Sequence, residues 1–154
     1  MTTSPSAAAK IKGFESCRLS PYNDLSGNAT VGWGHLLHKG PCTPDDKPVS
    51  QEKADELFLS DLKTRAEVFI QKYVRVPLNQ NQFDSLVSFT YNLGCGTLLN
   101  LVSDTGLNQG KYENVPLHLV LYNKSHVNGV LIPEPGLTRR RQWEAELFAT
   151  PVGG

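Results

Sequence analysis

Glu15, Asp24 and Thr30 are separated by eight and then five residues. Hydrolysis of a glycosidic bond needs a set of this kind. One carboxyl donates a proton to the leaving oxygen, and a second, ionised carboxyl works on water or on the anomeric carbon. The local sequence suggests which is which. Ser4-Pro5 reads as an N-cap followed by proline at the first helical position, and Gly13 reads as a stop. Glu15 then lies at or just past a helix C-terminus, where the negative end of the helix dipole favours the protonated acid. Asp24 sits among turn residues and can accept backbone N–H bonds, which favours the carboxylate. Glu and Asp are common, so on spacing alone a surface glutamate and a turn aspartate remain the commoner outcome.

The elements that must position these groups follow from patterning. Residues 17–38 mix turn residues (Pro21, Asn23-Asp24, Ser26-Gly27-Asn28) with β-branched and aromatic ones, which predicts a small hairpin or sheet. Residues 39–48 read as a Pro- and Asp-rich loop. Ser50 caps a long helix running to Tyr73 and ended by Pro77. Asn79 with Gln82 resembles a capping box, and Phe83, Leu86, Val87, Thr90 and Tyr91 give the next helix a wide apolar face. Shorter helices are expected over Leu98–Val102 and Glu113–Tyr122, a loop over Val130–Gly136, and a final helix from Thr138 through Phe148.

The 154 residues are one domain's worth of chain, with 39% hydrophobic and 19% charged residues, enough for a core and too little charge for disorder. Fifteen basic and fifteen acidic residues balance, which argues against a nucleic-acid binder. No apolar run approaches the ~20 residues of a membrane span, and residues 1–10 lack the layout of a secretion signal. Cys17, Cys42 and Cys95 are an odd number without metal-ligand spacing. A Cys42–Cys95 bridge, a Cys17–Cys42 bridge and three small buried thiols all stay open.

Three blocks carry a family resemblance. The first is Arg18-Leu19-x-x-Tyr22-x-Asp24-x-x-Gly27-x-x-Thr30-Val31-Gly32-Trp33-Gly34-His35, preceded by Glu15. The second runs from Gln82 to Gly94 and includes Tyr91-Asn92. The third is Gly136-Leu137-x-Arg139-Arg140-Arg141-x-x-Glu144-x-x-Leu147-Phe148. Together they span about residues 13–148, and they resemble the phage-type lysozymes and endolysins of glycoside hydrolase family 24. Ser16 departs from the glycine common there.

The resemblance implies an α+β, mostly helical, two-lobed lysozyme fold. A single domain over 1–154 would hold a β-containing catalytic lobe at about 13–60 and a helical lobe at about 74–150, packed with the N-terminal helix and joined by the long helix. It implies a muramidase that cleaves the β-1,4 bond between N-acetylmuramic acid and N-acetylglucosamine in bacterial peptidoglycan. Glu15 would be the general acid. Asp24 would stabilise the oxocarbenium charge and hold the attacking water with Thr30, giving inversion and a carboxyl separation of roughly 6.5–9.5 Å. Gly34 and Leu36 match substrate-binding positions, and no metal or cofactor is implied. His35 would pair with Asp61, an interaction present while the histidine is protonated and the aspartate ionised. Gly32 and Gly34 suit a close sugar approach or a tight turn, and Trp33 suits packing as well as stacking. One of Arg139, Arg140 and Arg141 should reach Glu15, with the others in solvent, because consecutive helical residues fan around the axis. A monomer is expected, held in the host cytoplasm until a holin-like partner releases it to the wall. The alternatives are the same hydrolase used as a secreted antibacterial effector, and a non-catalytic peptidoglycan-binding domain.

Overall fold

The computed structural model describes residues 1–153. Helix α1 (Pro5–Phe14) begins where expected. The Ser4 hydroxyl accepts the Ala7 N–H at 3.2 Å and donates to Asp84 at 2.6 Å, so the cap also ties the N-terminus to the helical lobe. Gly13 does not stop α1. The helix runs one residue further, and Glu15 takes an extended conformation with its N–H on the Lys12 carbonyl.

Three antiparallel strands follow in the order β1 (Arg18–Asn23), β2 (Ala29–Gly32) and β3 (His35–His38). Their register sets Tyr22 opposite Thr30 and Thr30 opposite Leu36, with irregularities in both pairings. Gly32 and Gly34 lie at φ +67° and +86°, and a Cβ on Gly32 would stand 3.2 Å from that of Ala54. The β2–β3 turn therefore needs glycine at both positions, and at Gly32 the sheet closes directly on the next helix.

That helix, α2 (Gln51–Leu62), is capped by Ser50, which accepts the Lys53 N–H at 3.0 Å. A π turn over Lys63–Glu67 joins it to α3 (Val68–Tyr73), so the connecting helix runs from 51 to 73 with one widened turn in its middle. The Asn79–Gln82 capping box opens α4 (Gln80–Leu93). Residues 83–91 of α4 are all buried, including Asp84, Ser85, Ser88 and Thr90, so it is the central helix of the lobe rather than a one-faced one. Around it pack α1, α5 (Cys95–Thr105) and α7 (Pro135–Ala149), with α6 (Asn114–Leu119) between α5 and α7. One hydrophobic cluster joins Ile11 of α1, Phe58 and Leu62 of α2, and the apolar residues of α4 to α7.

Four further expectations are corrected. The helix expected over Leu98–Val102 is α5, which starts at Cys95, three residues early, and α6 is shorter than Glu113–Tyr122. Residues 130–136 are not a loop. β4 (Lys124–Val127) and β5 (Val130–Pro133) form a hairpin whose turn, Asn128-Gly129, has both residues at positive φ. Asn-Gly is the residue pair that a two-residue hairpin turn prefers. Helix α7 then starts at Pro135 rather than Thr138. The Glu134 carboxylate accepts the Gly136 and Leu137 N–H groups, each at 2.8 Å, and those bonds hold its carboxyl below the usual carboxylate range.

Candidate active site

Glu15 is fixed where α1 ends, its side chain 24% exposed on the wall of a cavity of about 490 Å³ shared with Asn92, Leu137, Arg139 and Trp143. Arg140 Nη1 donates to Glu15 Oε1 at 2.7 Å. Arg140 is itself buried. Its Nε donates to the Ser88 hydroxyl at 3.2 Å, its Nη2 donates to the Ser88 carbonyl at 3.1 Å, and its guanidinium covers the Phe14 ring. Of the three consecutive arginines, Arg140 is thus the one that reaches Glu15. The expectation that both others are solvated is corrected for Arg141. It is fully buried, with Nε 2.7 Å from Glu144 and Nη2 donating to Asn92 at 2.9 Å. The stagger of ~100° per residue turns Arg141 into the interface between α7 and α4.

Asp24 and Thr30 line a second cavity, of about 480 Å³, with Asn28, Gly34, His35, Leu36, Asp61 and Arg65. Asp24 Oδ1 accepts the N–H groups of Ser26 at 2.8 Å and Asn28 at 2.9 Å, while the Asp24 N–H returns to the Asn28 carbonyl. This turn locks the side chain by its own backbone. The Thr30 hydroxyl donates to the Asn28 carbonyl at 2.9 Å, so its proton is committed and its lone pairs remain to accept. Tyr22 lies across the ladder from Thr30. Burial raises its hydroxyl above the usual tyrosine value, Arg18 above its ring opposes this, and the nearby Asp24 and Glu15 carboxylates add to it.

The supporting residues lie around these two. His35 Nδ1 faces both Asp61 oxygens at 3.0 and 3.1 Å, as the sequence pairing anticipates. Trp33 packs rather than lines a cavity: its ring lies tilted against Phe58 and its Nε1 donates to Asp55 at 2.8 Å. Gly34 has open space where a Cβ would stand, and Leu36 is 47% exposed at the cavity edge. Arg65 donates to the Gly34 carbonyl at 3.2 Å and the Tyr91 carbonyl at 3.1 Å, and the Tyr91 hydroxyl donates to the Trp33 carbonyl at 2.8 Å. Burial pushes the Tyr91 hydroxyl far above its ordinary value. Sequence reading missed Asn28, Arg65 and the Ser88–Arg140 contact. Asn28 was legible as a turn residue, but nothing local marks a helix arginine that bonds carbonyls thirty residues away. Cys17, Cys42 and Cys95 are free thiols, which rules out both candidate bridges. Among the described residues no group of three or more His, Cys, Asp or Glu is placed to hold a metal ion, and no helix is long and apolar enough to cross a membrane.

The phage lysozyme family model matches residues 12–144. The chain belongs to the phage lysozyme family. An endolysin of Acyrthosiphon pisum secondary endosymbiont phage 1 is 34% identical over 90% of this chain and 91% of its own length. The endolysin of Salmonella phage P22 is 33% identical over 96% and 98%. Among solved structures, an endolysin from Escherichia coli O157:H7 phage FAHEc1 superposes with a TM-score of 0.80 at 30% identity, covering 97% of this chain and 94% of that one. The muramidase domain of SpmX from Asticaccaulis excentricus superposes at 0.84 with 29% identity, covering 97% and 99%. This lysozyme-family member is accordingly a peptidoglycan-hydrolysing enzyme with the α+β lysozyme fold.

Proposed function

We propose that this lysozyme cleaves the β-1,4 bond between N-acetylmuramic acid and N-acetylglucosamine by inversion, with Glu15 as acid and Asp24 and Thr30 as the water-holding pair. The observation that carries the reading is the division of labour at Asp24 and Thr30. Asp24 has one oxygen locked by two backbone N–H groups, and its other oxygen has no partner among the described residues. Thr30 has its proton committed to Asn28. A water between them donates to Thr30 Oγ1 and to Asp24 Oδ2, which leaves its lone pair directed at the sugar. Attack forms the new C–O bond as the glycosidic C–O bond breaks. Asp24 takes the water proton, and Glu15 gives its own to the leaving oxygen. Arg140 holds Glu15 by Oε1 and leaves Oε2 for the proton. Gly34 and Leu36 contact the saccharide beside this pair, Gly34 because nothing beyond its backbone obstructs approach. The enzyme works as a monomer, gathers in the host cytoplasm, and reaches the wall through a membrane lesion made by a holin-like partner.

Glu15→Gln should lower the release of reducing ends from purified peptidoglycan at least a hundredfold, within the ~10²–10⁴ that a positioned acid contributes. Proton NMR of the first product formed should show the α-anomer. Equal activity in parent and variant, or a β-anomer first, would overturn the assignment.

A further inference from the structure

Glu144 is fully buried in the middle of the helical lobe, beyond the reach of any saccharide, yet it is a carboxyl that faces two arginines: burial pushes its proton affinity up, and Arg141 and then Arg140 oppose this. Its Oε2 receives the Ser88 hydroxyl and the Arg141 Nη2, and lies 3.5 Å from Arg140 Nε; its Oε1 lies 2.7 Å from Arg141 Nε. From α4, the groups packed against it are Ser85, whose hydroxyl donates to the Glu144 carbonyl, Ser88, and Asn92, which accepts from Arg141. From α7 they are Arg140 and Arg141. Beyond Arg140, at 2.7 Å, stands Glu15. The cluster is thus a chain of alternating charge, Arg141–Glu144–Arg140–Glu15, with its inner three members buried and its last at the cavity wall. A fold needing only stability would gain as much or more from apolar side chains there, because desolvating three charges offsets most of their attraction.

We infer that Glu144 is a positioning residue for Glu15: it fixes Arg140 and cancels the second guanidinium, so that the buried cluster presents one net positive charge to Glu15 rather than two, beside Lys10, Arg139 and Glu134 of the cavity wall, which the cluster leaves unchanged. The inference rests on the reading of Glu15 as the proton donor. An acid must hold its proton until the leaving oxygen takes it, and each uncompensated cation near a carboxyl lowers its proton affinity. With Glu144 ionised, the buried pair with Arg141 is neutral and Arg140 is the one uncompensated cation of the cluster beside Glu15. Without it, both arginines are uncompensated.

The readout is the pH dependence of kcat/KM for reducing-end release at limiting peptidoglycan, where the alkaline limb reports loss of the acid's proton. Glu144→Gln should move that limb to lower pH by about one unit, a tenfold fall in proton affinity. Arg141→Gln, which removes a group that does not touch Glu15, should move it the other way. The double variant restores neutrality and should return the limb to the parental position. A merely structural role predicts lower activity in all three without these opposed shifts. Unmoved limbs in folded single variants, or a double variant that adds its losses instead of cancelling them, would overturn the inference. The parent protein supplies a readout that needs no variant. Carbon-13 NMR of its glutamate carboxyls should find Glu144 ionised throughout the active pH range, and a neutral Glu144 there would equally overturn it. Glu15→Gln in parallel separates the two levels. If it stays active, the proton-donor reading has failed. If it is inactive and the limbs do not move, only the role of Glu144 has.

Discussion

Thr30 shows how one hydroxyl can be given a single direction. It is 4% exposed, it lies on β2 between Tyr22 and Leu36 in the ladder, and its proton is held by the Asn28 carbonyl. A water in the cavity can therefore only donate to it. Thr30→Ser keeps the acceptor and should retain activity within a few-fold. Thr30→Val keeps the shape but removes the acceptor, while the Asn28 carbonyl keeps the Asp24 N–H. It should cost about 10- to 100-fold in kcat, matching the ~1–3 kcal/mol of one positioned hydrogen bond. Initial rates on purified peptidoglycan, with circular dichroism confirming the fold, would check this. Loss in Thr30→Ser with activity kept in Thr30→Val would mean that packing of the Thr30 methyl, not its oxygen, is what counts. Glu15, Asp24 and Thr30 were legible because their chemistry and spacing lie within sixteen residues of chain. Arg140 was not, since choosing among three adjacent arginines requires the rotation of α7 about its axis.

At the level of elements, the caps were the most legible features. Ser4, Ser50 and the Asn79–Gln82 box each stand where the sequence put them, because a cap is a contact between residues three apart. The β4–β5 hairpin was misread because Pro133 and Pro135 look like breakers. Pro133 ends an edge strand, which needs no N–H there, and Pro135 opens α7. The loop after β3 carries its own staple. His38 Nδ1 faces the Lys39 carbonyl at 2.9 Å and Nε2 faces Asp46 at 2.8 Å, so both ring nitrogens meet acceptors, as in the protonated ring. The Lys39 carbonyl and then Asp46 raise His38 above its ordinary 6.5, while the Thr43 N–H and then His38 lower Asp46 below its ordinary 3.8. A raised histidine stabilises fully below pH 6.5 and loses that contribution as pH rises past its shifted value. A lowered aspartate stabilises above pH 3.8 and loses it as pH falls. Protection of the Thr43 N–H in hydrogen exchange, corrected for intrinsic rates, should therefore be greatest between those values. His38→Gln should abolish the loss on the alkaline side. An unchanged alkaline loss in that variant would assign it to another group.

Across the whole molecule, the proposed acid and the proposed water site are anchored to different lobes. Glu15 is tied through Arg140 to α4 and α7, whereas Asp24 and Thr30 belong to the sheet. Their relative placement depends on whatever locks the sheet to α4, and Arg65 occupies that position. It projects from the π turn in the middle of the connecting helix, and its fork takes the Gly34 carbonyl with one arm and the Tyr91 carbonyl with the other. Its guanidinium lies 4.1 Å from the Tyr91 ring centre, and the Tyr91 hydroxyl closes the circuit on Trp33. Widened turns of this kind re-aim side chains that a regular helix would direct elsewhere. Arg65→Met keeps the aliphatic stem and removes both arms. Because the side chain is 42% exposed, the loss of stability should be modest, about 1 kcal/mol, while turnover falls tenfold or more through misalignment of the two half-sites. Spin labels on exposed Ser26 and Glu146 would report the lobes directly, and the distance distribution should broaden in Arg65→Met relative to the parent. If turnover fell with no broadening, Arg65 would act on the substrate itself. If neither changed, the lobes would be held by the Tyr91–Trp33 hydrogen bond, the Gly32–Ala54 contact and the shared core.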